Sequence, residues 1–302
     1  MKKACRGAFL TFAALSVALA APQTLSAQTP GNGRTATNGP LRFPKLDPDP
    51  RVQQKSYTLP TGEVMKYTLY VSSKVKPGVP APLVVALHGY GGDSNFIVRD
   101  KLIDQAEAGG YVVVGPMGYN FTGWYGSPVI LIGGGAVKPA NLAQLSELDV
   151  LNVMSIAQHD YTIDPNRIYL MGHSMGGAGT IFMGQKHSEI WAAAAAIAPA
   201  AFMMQRDETM LLGHFKEAKL PLMITQGAED NVVPPAGTRT WAAAMDKLGM
   251  EHEYIEKPGL DHGTIIGPSM ADIFRFFAAH KRTPPPPFVP PPRPGTPPAA
   301  KP

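Results

Sequence analysis

Residues 168–180 of this 302-residue chain read IYLMGHSMGGAGT, and this stretch constrains the fold more than any other. An apolar, β-rich run, Ile168 to Met171, leads directly into Gly172-x-Ser174-x-Gly176 and then a helix-like segment. A serine hydroxyl is a poor nucleophile at neutral pH unless it is presented to a base. A sharp strand-to-helix turn presents it by pushing the hydroxyl out at the top of a sheet. Such a turn brings backbone segments so close together that only hydrogen fits at Gly172 and Gly176. Gly177 and Gly179 extend the small face and predict a helix lying close against the sheet.

The partners that such a serine needs follow in the order acid, then histidine. The run Leu222–Gln226 reads as a strand and ends in the loop Gly227-Ala228-Glu229-Asp230. Asp230, just past the strand end, is the predicted acid, with Glu229 as its nearest competitor. His252–Glu256 reads as a further strand, followed by the loop Gly259-Leu260-Asp261-His262-Gly263. His262 is the predicted base and Asp230 the group that orients it. Asp261 adjoins His262, and neighbours in sequence rarely meet side chain to side chain. Two backbone N–H groups are expected to face the developing oxyanion. One is that of Met175, the residue after the serine. The other is that of Tyr90, in the loop His88-Gly89-Tyr90-Gly91-Gly92 after the strand Leu83–Leu87. His88 and His173 adjoin these loops and are expected to orient backbone rather than to transfer protons.

On these motifs the chain resembles the α/β-hydrolase superfamily over residues 51–282. The segments that carry the resemblance are LHGYGGDS at 87–94, YVVVGPMGYN at 111–120, YTIDPNRIYLMGHSMGG at 161–177, GAEDNVVP at 227–234 and DHG at 261–263. Within the superfamily it is similar to secreted esterases of the polyhydroxybutyrate-depolymerase/feruloyl-esterase type and to prolyl-oligopeptidase-like catalytic domains. Trp124 and Tyr125, in Gly123–Gly126, resemble the aromatic loop of the depolymerase-like esterases, although His173 and Met175 depart from the usual flanks of their serine. The resemblance implies a mostly parallel central sheet with helices on both faces, a Ser174–His262–Asp230 triad, and hydrolysis of carboxylic esters through an acyl-enzyme. No cofactor is implied, and no His/Cys/Asp cluster has metal-ligand spacing.

The scaffold agrees with an α/β class. Ser56–Pro60 and Val64–Val71 read as an antiparallel pair. Strands are predicted at Leu83–Leu87, Tyr111–Gly115, Arg167–Met171, Ala192–Ala198, Leu222–Gln226 and His252–Glu256, and helices at Leu102–Ala108, Leu148–His159 and Thr238–Leu248. Such alternation predicts a parallel sheet covered on both faces. The alanine-rich strand rests on its place in the order, since alanine favours helix. Asp149 reads as a helix-start carboxylate, and Asp93 as a loop-shaping residue. Tyr119–Lys138 and Ala200–Phe215 read as irregular segments over the site, too short for a cap domain. Trp124 and Tyr125 would then either contact substrate or simply pack, and the same choice applies to Met203, Met204 and Met210.

The two ends of the chain read differently. Lys2, Lys3 and Arg6 precede an apolar stretch, Ala8 to Ala20, with small-x-small patterns at Ala18–Ala20 and Leu25–Ala27. Residues 1–27 are a predicted secretory signal, too short to span a bilayer, with an uncleaved anchor as the alternative. Secretion or residence in a periplasm follows. The single cysteine, Cys5, lies in this segment, so the remaining chain is predicted to hold together without disulfides. Residues 28–50 read as a Gly/Pro/Thr/Asn-rich linker, and residues 283–302 as a proline-rich tail that is either passive or binds a partner. Removing three basic residues takes the formal charge from +4 to +1. With no basic stripe interleaved with aromatics, nucleic-acid binding is excluded. No second apolar run is long enough to cross a membrane, and no obligate protein partner is evident. Three functions remain open: an ester hydrolase, a peptidase with the same machinery, and a non-catalytic module that holds a polymer.

Overall fold

The structure, a computed structural model, describes residues 46–132, 134–201 and 208–282. The predicted signal, most of the linker, Met203 and Met204, and the proline-rich tail lie outside the described residues.

Eight strands among these residues form one sheet in the order β1-β2-β4-β3-β5-β6-β7-β8. β1 (Gln53–Thr58) and β2 (Val64–Val71) pair antiparallel, and β2 continues antiparallel onto β4 (Val112–Pro116). From there every pairing is parallel, through β3 (Ala81–Leu87), β5 (Ile163–His173), β6 (Ala193–Ile197), β7 (Leu222–Gly227) and β8 (His252–Lys257).

Helices cover both faces because the central strands are buried on both. Successive strand side chains point to opposite sides. Leu83, Val85 and Leu87 accordingly join one core with Val150 of α2 (Leu142–Asp160), Ala178 of α3 (Met175–Lys186), Leu211 of α4 (Glu208–Ala218) and Trp241 of α5 (Pro235–Leu248). Val84 and Ala86 join the other, with Leu102 of α1 (Asp100–Gly109) and Ile273 of α6 (Ile266–Ala279). The alanines of β6 divide in the same way, Ala194 and Ala196 to one face and Ala193 and Ala195 to the other. Here two-sided burial overrides alanine's preference for helix.

Three expectations are corrected. Helix α2 begins at Leu142, so Asp149 lies in its interior; Asn141, the residue before the helix, makes no side-chain cap that a sequence pattern could register. The stretch after β6 is not irregular throughout, since Leu211, Leu212 and Phe215 turn α4 onto the core. Phe215 packs where Gly184 of α3 leaves no room for a Cβ. The domain also starts before residue 51: Asp49 is buried, ion-paired to Arg51 at 2.8 Å, and accepts the Asp100 N–H at the start of α1 at 3.1 Å. No large cap stands over the sheet among the described residues, and none of their helices is long and apolar enough to cross a membrane.

Candidate active site

The chain runs from β3 to β4 on one side and then returns to β5 on the other. At such a reversal the loops leaving two neighbouring parallel strands splay apart and open a crevice at their carboxyl ends. Pairing of Leu87 with Gly172 sets the register there, so the loop after β3 lies beside the turn after β5.

Ser174 occupies that turn, with φ 56° and ψ −114°, a left-handed conformation that costs a non-glycine residue energy. It is fixed by hydrogen bonds from its N–H to Ile197 O (2.9 Å) and to its carbonyl from Ala178 and Ala200 N–H (3.0 Å each). The two flanking glycines are required by close approach. A Cβ on Gly172 would collide with the Gly176 carbonyl, and one on Gly176 would collide with Leu87 O and lie 2.7 Å from His88 O. Met175 is the first residue of α3, where N–H groups have no partner within the helix and the dipole is positive.

Asp230 and His262 come from the loops after β7 and β8, which run together. Ala228 N–H donates to Lys257 O and Glu229 N–H to Leu260 O, both at 3.0 Å. The Asp230 carboxylate is wholly buried. Its Oδ1 accepts the N–H groups of Val232 (2.8 Å) and Val233 (2.7 Å). Its Oδ2 accepts from Gln226 Nε2 (3.0 Å) and from His262 Nδ1 (2.7 Å). The competing carboxylate, Asp261, accepts instead from Gly263 and Thr264 N–H in its own loop, and these bonds, led by that of Thr264, hold its carboxyl below the usual range. Glu229 contributes its backbone N–H to the junction between the loops. Among the described residues no hydrogen bond joins Ser174 Oγ to His262. The link between the histidine loop and the serine turn is made by His173, whose Nε2 lies 2.7 Å from His262 O.

The loop after β3 is braced from below. Both ring nitrogens of buried His88 face carbonyls, Gly89 O at 2.8 Å and Met117 O at 2.9 Å, and burial lowers its pKa. A turn bond from Gly92 N–H to Gly89 O (3.0 Å) and one from Gly91 N–H to Phe121 O (2.8 Å) shape the backbone around Tyr90. A Cβ on Gly89 would be 3.5 Å from Ser174 Cβ, so this backbone passes directly beside the serine.

Of the two roles left open for Trp124 and Tyr125, substrate contact or packing, the structure shows packing. They form a short 3₁₀ turn and are 1% and 0% exposed, so neither offers surface to a substrate. Trp124 donates to Ile130 O (2.9 Å) and Tyr125 to His88 O (3.2 Å). Tyr125 also fills the space that Gly179 leaves on α3. Both therefore underpin the loop that carries Tyr90. Asp149 holds the segment after β4 instead: buried, it accepts from Tyr57 OH (2.6 Å) and Gly118 N–H (2.7 Å), and burial pushes its pKa up to about 6. Gln226 and Phe96 escaped the sequence reading. A glutamine inside an otherwise apolar strand, one residue before the acid's loop, is the signal that marks the first; Phe96 carries none. Among the described residues no group of three or more His, Cys, Asp or Glu is arranged to hold a metal ion.

A profile of the prolyl oligopeptidase family matches residues 141–212 and 205–281, which include Ser174, Asp230 and His262. Acyl-protein thioesterase 1 of Emericella nidulans is 29% identical over 107 residues, 35% of this chain and 45% of that protein. Feruloyl esterase B of Neurospora crassa is 29% identical over 144 residues, 46% and 44% of the two chains. The chain thus spans less than half the length of either relative. Among solved structures, an S-formylglutathione hydrolase from Agrobacterium tumefaciens superposes with a TM-score of 0.61 at 20% identity, over 76% of this chain and 94% of that one. With a strained serine turn at the crossover of a mostly parallel eight-stranded sheet, the chain has the α/β-hydrolase fold and is similar to esterases and hydrolases that share it.

Proposed function

We propose that this protein is an exported serine hydrolase that cleaves carboxylic esters. Ser174 Oγ attacks the ester carbonyl carbon while its proton passes to His262 Nε2, the ring nitrogen not engaged by Asp230. The tetrahedral oxyanion lies against the N–H groups of Tyr90 and Met175. Collapse breaks the bond to the alcohol oxygen, which takes the proton from His262 and leaves an acyl-Ser174 ester. Water, deprotonated by His262, then attacks that ester, and the acid departs as Ser174 regains its proton. Buried Asp230 keeps the His262 proton on Nδ1 and stabilises the imidazolium. The observation that carries this reading is the 2.7 Å bond between His262 Nδ1 and a carboxylate whose remaining acceptor sites are filled by backbone and amide donors. A carboxylate held in that way has one orientation to offer the imidazole. Export rests on the basic-then-apolar pattern of residues 1–27.

Ser174→Ala should abolish hydrolysis of a short p-nitrophenyl ester, and a fluorophosphonate probe should label the wild type at Ser174 alone. Turnover by the purified variant would refute the assignment. Absence of labelling would favour a non-catalytic binding module. The prolyl oligopeptidase match favours a second reading, peptide hydrolysis by the same residues. Preference for proline-linked amides over every ester tried would reverse the order of the two.

A further inference from the structure

His173 stands between the two loops that flank Ser174. Its Nε2 is 2.7 Å from the carbonyl oxygen of His262. A carbonyl oxygen only accepts, so Nε2 carries the proton and Nδ1 is the bare nitrogen. That Nδ1 is buried without a hydrogen-bond partner and faces Gly89, where an added Cβ would lie 3.1 Å from it. The ring stacks on Phe96, with centroids 5.9 Å apart and planes 24° apart, and lies 4.6 Å from the His262 ring.

The sheet order explains why such a tie is needed. His173 ends β5, while His262 follows β8, and β6 and β7 lie between them. Three strand spacings amount to roughly 14 Å, so the loop carrying His262 must lean back across two strands to reach the serine. The bonds between the acid and histidine loops hold it at the β7–β8 end. The His173 bond holds it at the β5 end. Packing alone does not account for a histidine here, because an apolar ring would stack on Phe96 equally well without burying an unpaired nitrogen. Burial, reinforced by His262, pushes the pKa of His173 down to about 3, which keeps it a neutral, single-tautomer donor.

We propose that His173 is a positioning residue for His262, its Nε2–H anchoring the His262 main chain at the top of β5 so that the imidazole reaches Ser174. This rests on the roles given to Ser174 and His262 above.

The test compares His173→Gln, His173→Asn and His173→Phe in the full chain. Hydrolysis of p-nitrophenyl acetate and the rate of fluorophosphonate labelling at Ser174 are measured, with Ser174→Ala as the blank. A glutamine amide nitrogen falls close to the Nε2 position, an asparagine nitrogen falls short of it, and phenylalanine keeps the stack but donates nothing. The Asn and Phe variants should lose kcat and labelling rate by roughly 30-fold, equivalent to ~2 kcal/mol, with KM little changed. The Gln variant should recover to within roughly fivefold of wild type, given that a neutral hydrogen bond is retained. Wild-type rates in Asn and Phe would overturn the proposal, as would a Gln variant as slow as Asn. If Phe fails to fold, the Gln–Asn pair decides alone. A wild type that neither turns over nor labels at Ser174 would overturn the reading of the site itself, and this proposal with it.

Discussion

Gly227, the last residue of β7, is pressed against the carbonyl oxygen of Leu260 in the loop after β8. A Cβ there would overlap that oxygen and lie 2.8 Å from the Asp261 carbonyl. The contact lets the acid loop and the histidine loop run side by side, so it sets the distance between Asp230 and His262. Gly227→Ala is therefore expected to force the loops apart, lowering kcat/KM by roughly 100-fold, or ~2.7 kcal/mol, and to lower Tm by several degrees. An alanine variant with wild-type kinetics would show that the loops tolerate separation.

Gln226 should matter to the chemistry more than to stability. Its Nε2 contacts Asp230 Oδ2, Gly227 O and Val233 O, while its Oε1 is buried without a partner. Gln226→Leu removes the donor and the unpaired acceptor together, two effects on folding that partly offset each other. The Asp230 carboxylate is then free to rotate away from His262. A fall in kcat of tenfold or more, ~1.4 kcal/mol, is expected with a Tm change of only a few degrees. Equal and large losses of both would make Gln226 a packing residue.

Trp124 and Tyr125 should behave as core. Replacing either with alanine is expected to cost about 3–5 kcal/mol of stability, read as a large drop in Tm with all esters affected alike. Substrate selection is predicted to fall instead to Phe121 and Ile132, which are 54% and 49% exposed. Both hang on the loop after β3, through Gly91 N–H to Phe121 O and Ile132 N–H to Tyr90 OH. Exchanging both for serine should raise KM for bulky esters several-fold and leave acetyl esters unchanged. Identical KM values across the series would remove them from the site.

What was legible in the sequence followed from local necessity. Gly172 and Gly176 could be read because a strand-to-helix turn admits only hydrogen there, and the contacts they make are backbone contacts within a few residues or with the neighbouring strand. The parallel strands could be read from their apolar runs. Asp149 could not, because its partners, Tyr57 and Gly118, lie 92 and 31 residues away and a buried carboxylate inside a helix leaves no local mark. For a similar reason the sequence leaves Trp124 and Tyr125 open between substrate contact and packing. Glycine-rich flanks suggest an exposed loop, whereas their burial depends on Gly179 and Ser146 from two distant helices. His173 lay in the motif itself, but its link to His262 exists only once β6 and β7 separate the two strands that carry them.

The pH dependence of stability should carry the signatures of His173 and Asp149 with opposite signs. His173 falls from its ordinary 6.5 to about 3 on folding, chiefly through burial, and burial also lowers His88. Between pH 6.5 and 3 the unfolded chain therefore binds protons that the folded chain refuses. Stability from these groups is fully present above pH 6.5 and is lost as pH falls. Asp149 rises from 3.8 to about 6, so its contribution is fully present below pH 3.8 and is lost as pH rises through 6. In urea titrations, the stability gap between wild type and His173→Gln should change by up to about 1.4 kcal/mol per pH unit as pH falls from 6.5 towards 4, the variant being the less acid-sensitive. Asp149→Asn should do the reverse and steepen the acid loss between pH 6 and 4. Parallel stability curves for wild type and His173→Gln would mean that His173 is protonated in the folded protein, contrary to its burial beside His262.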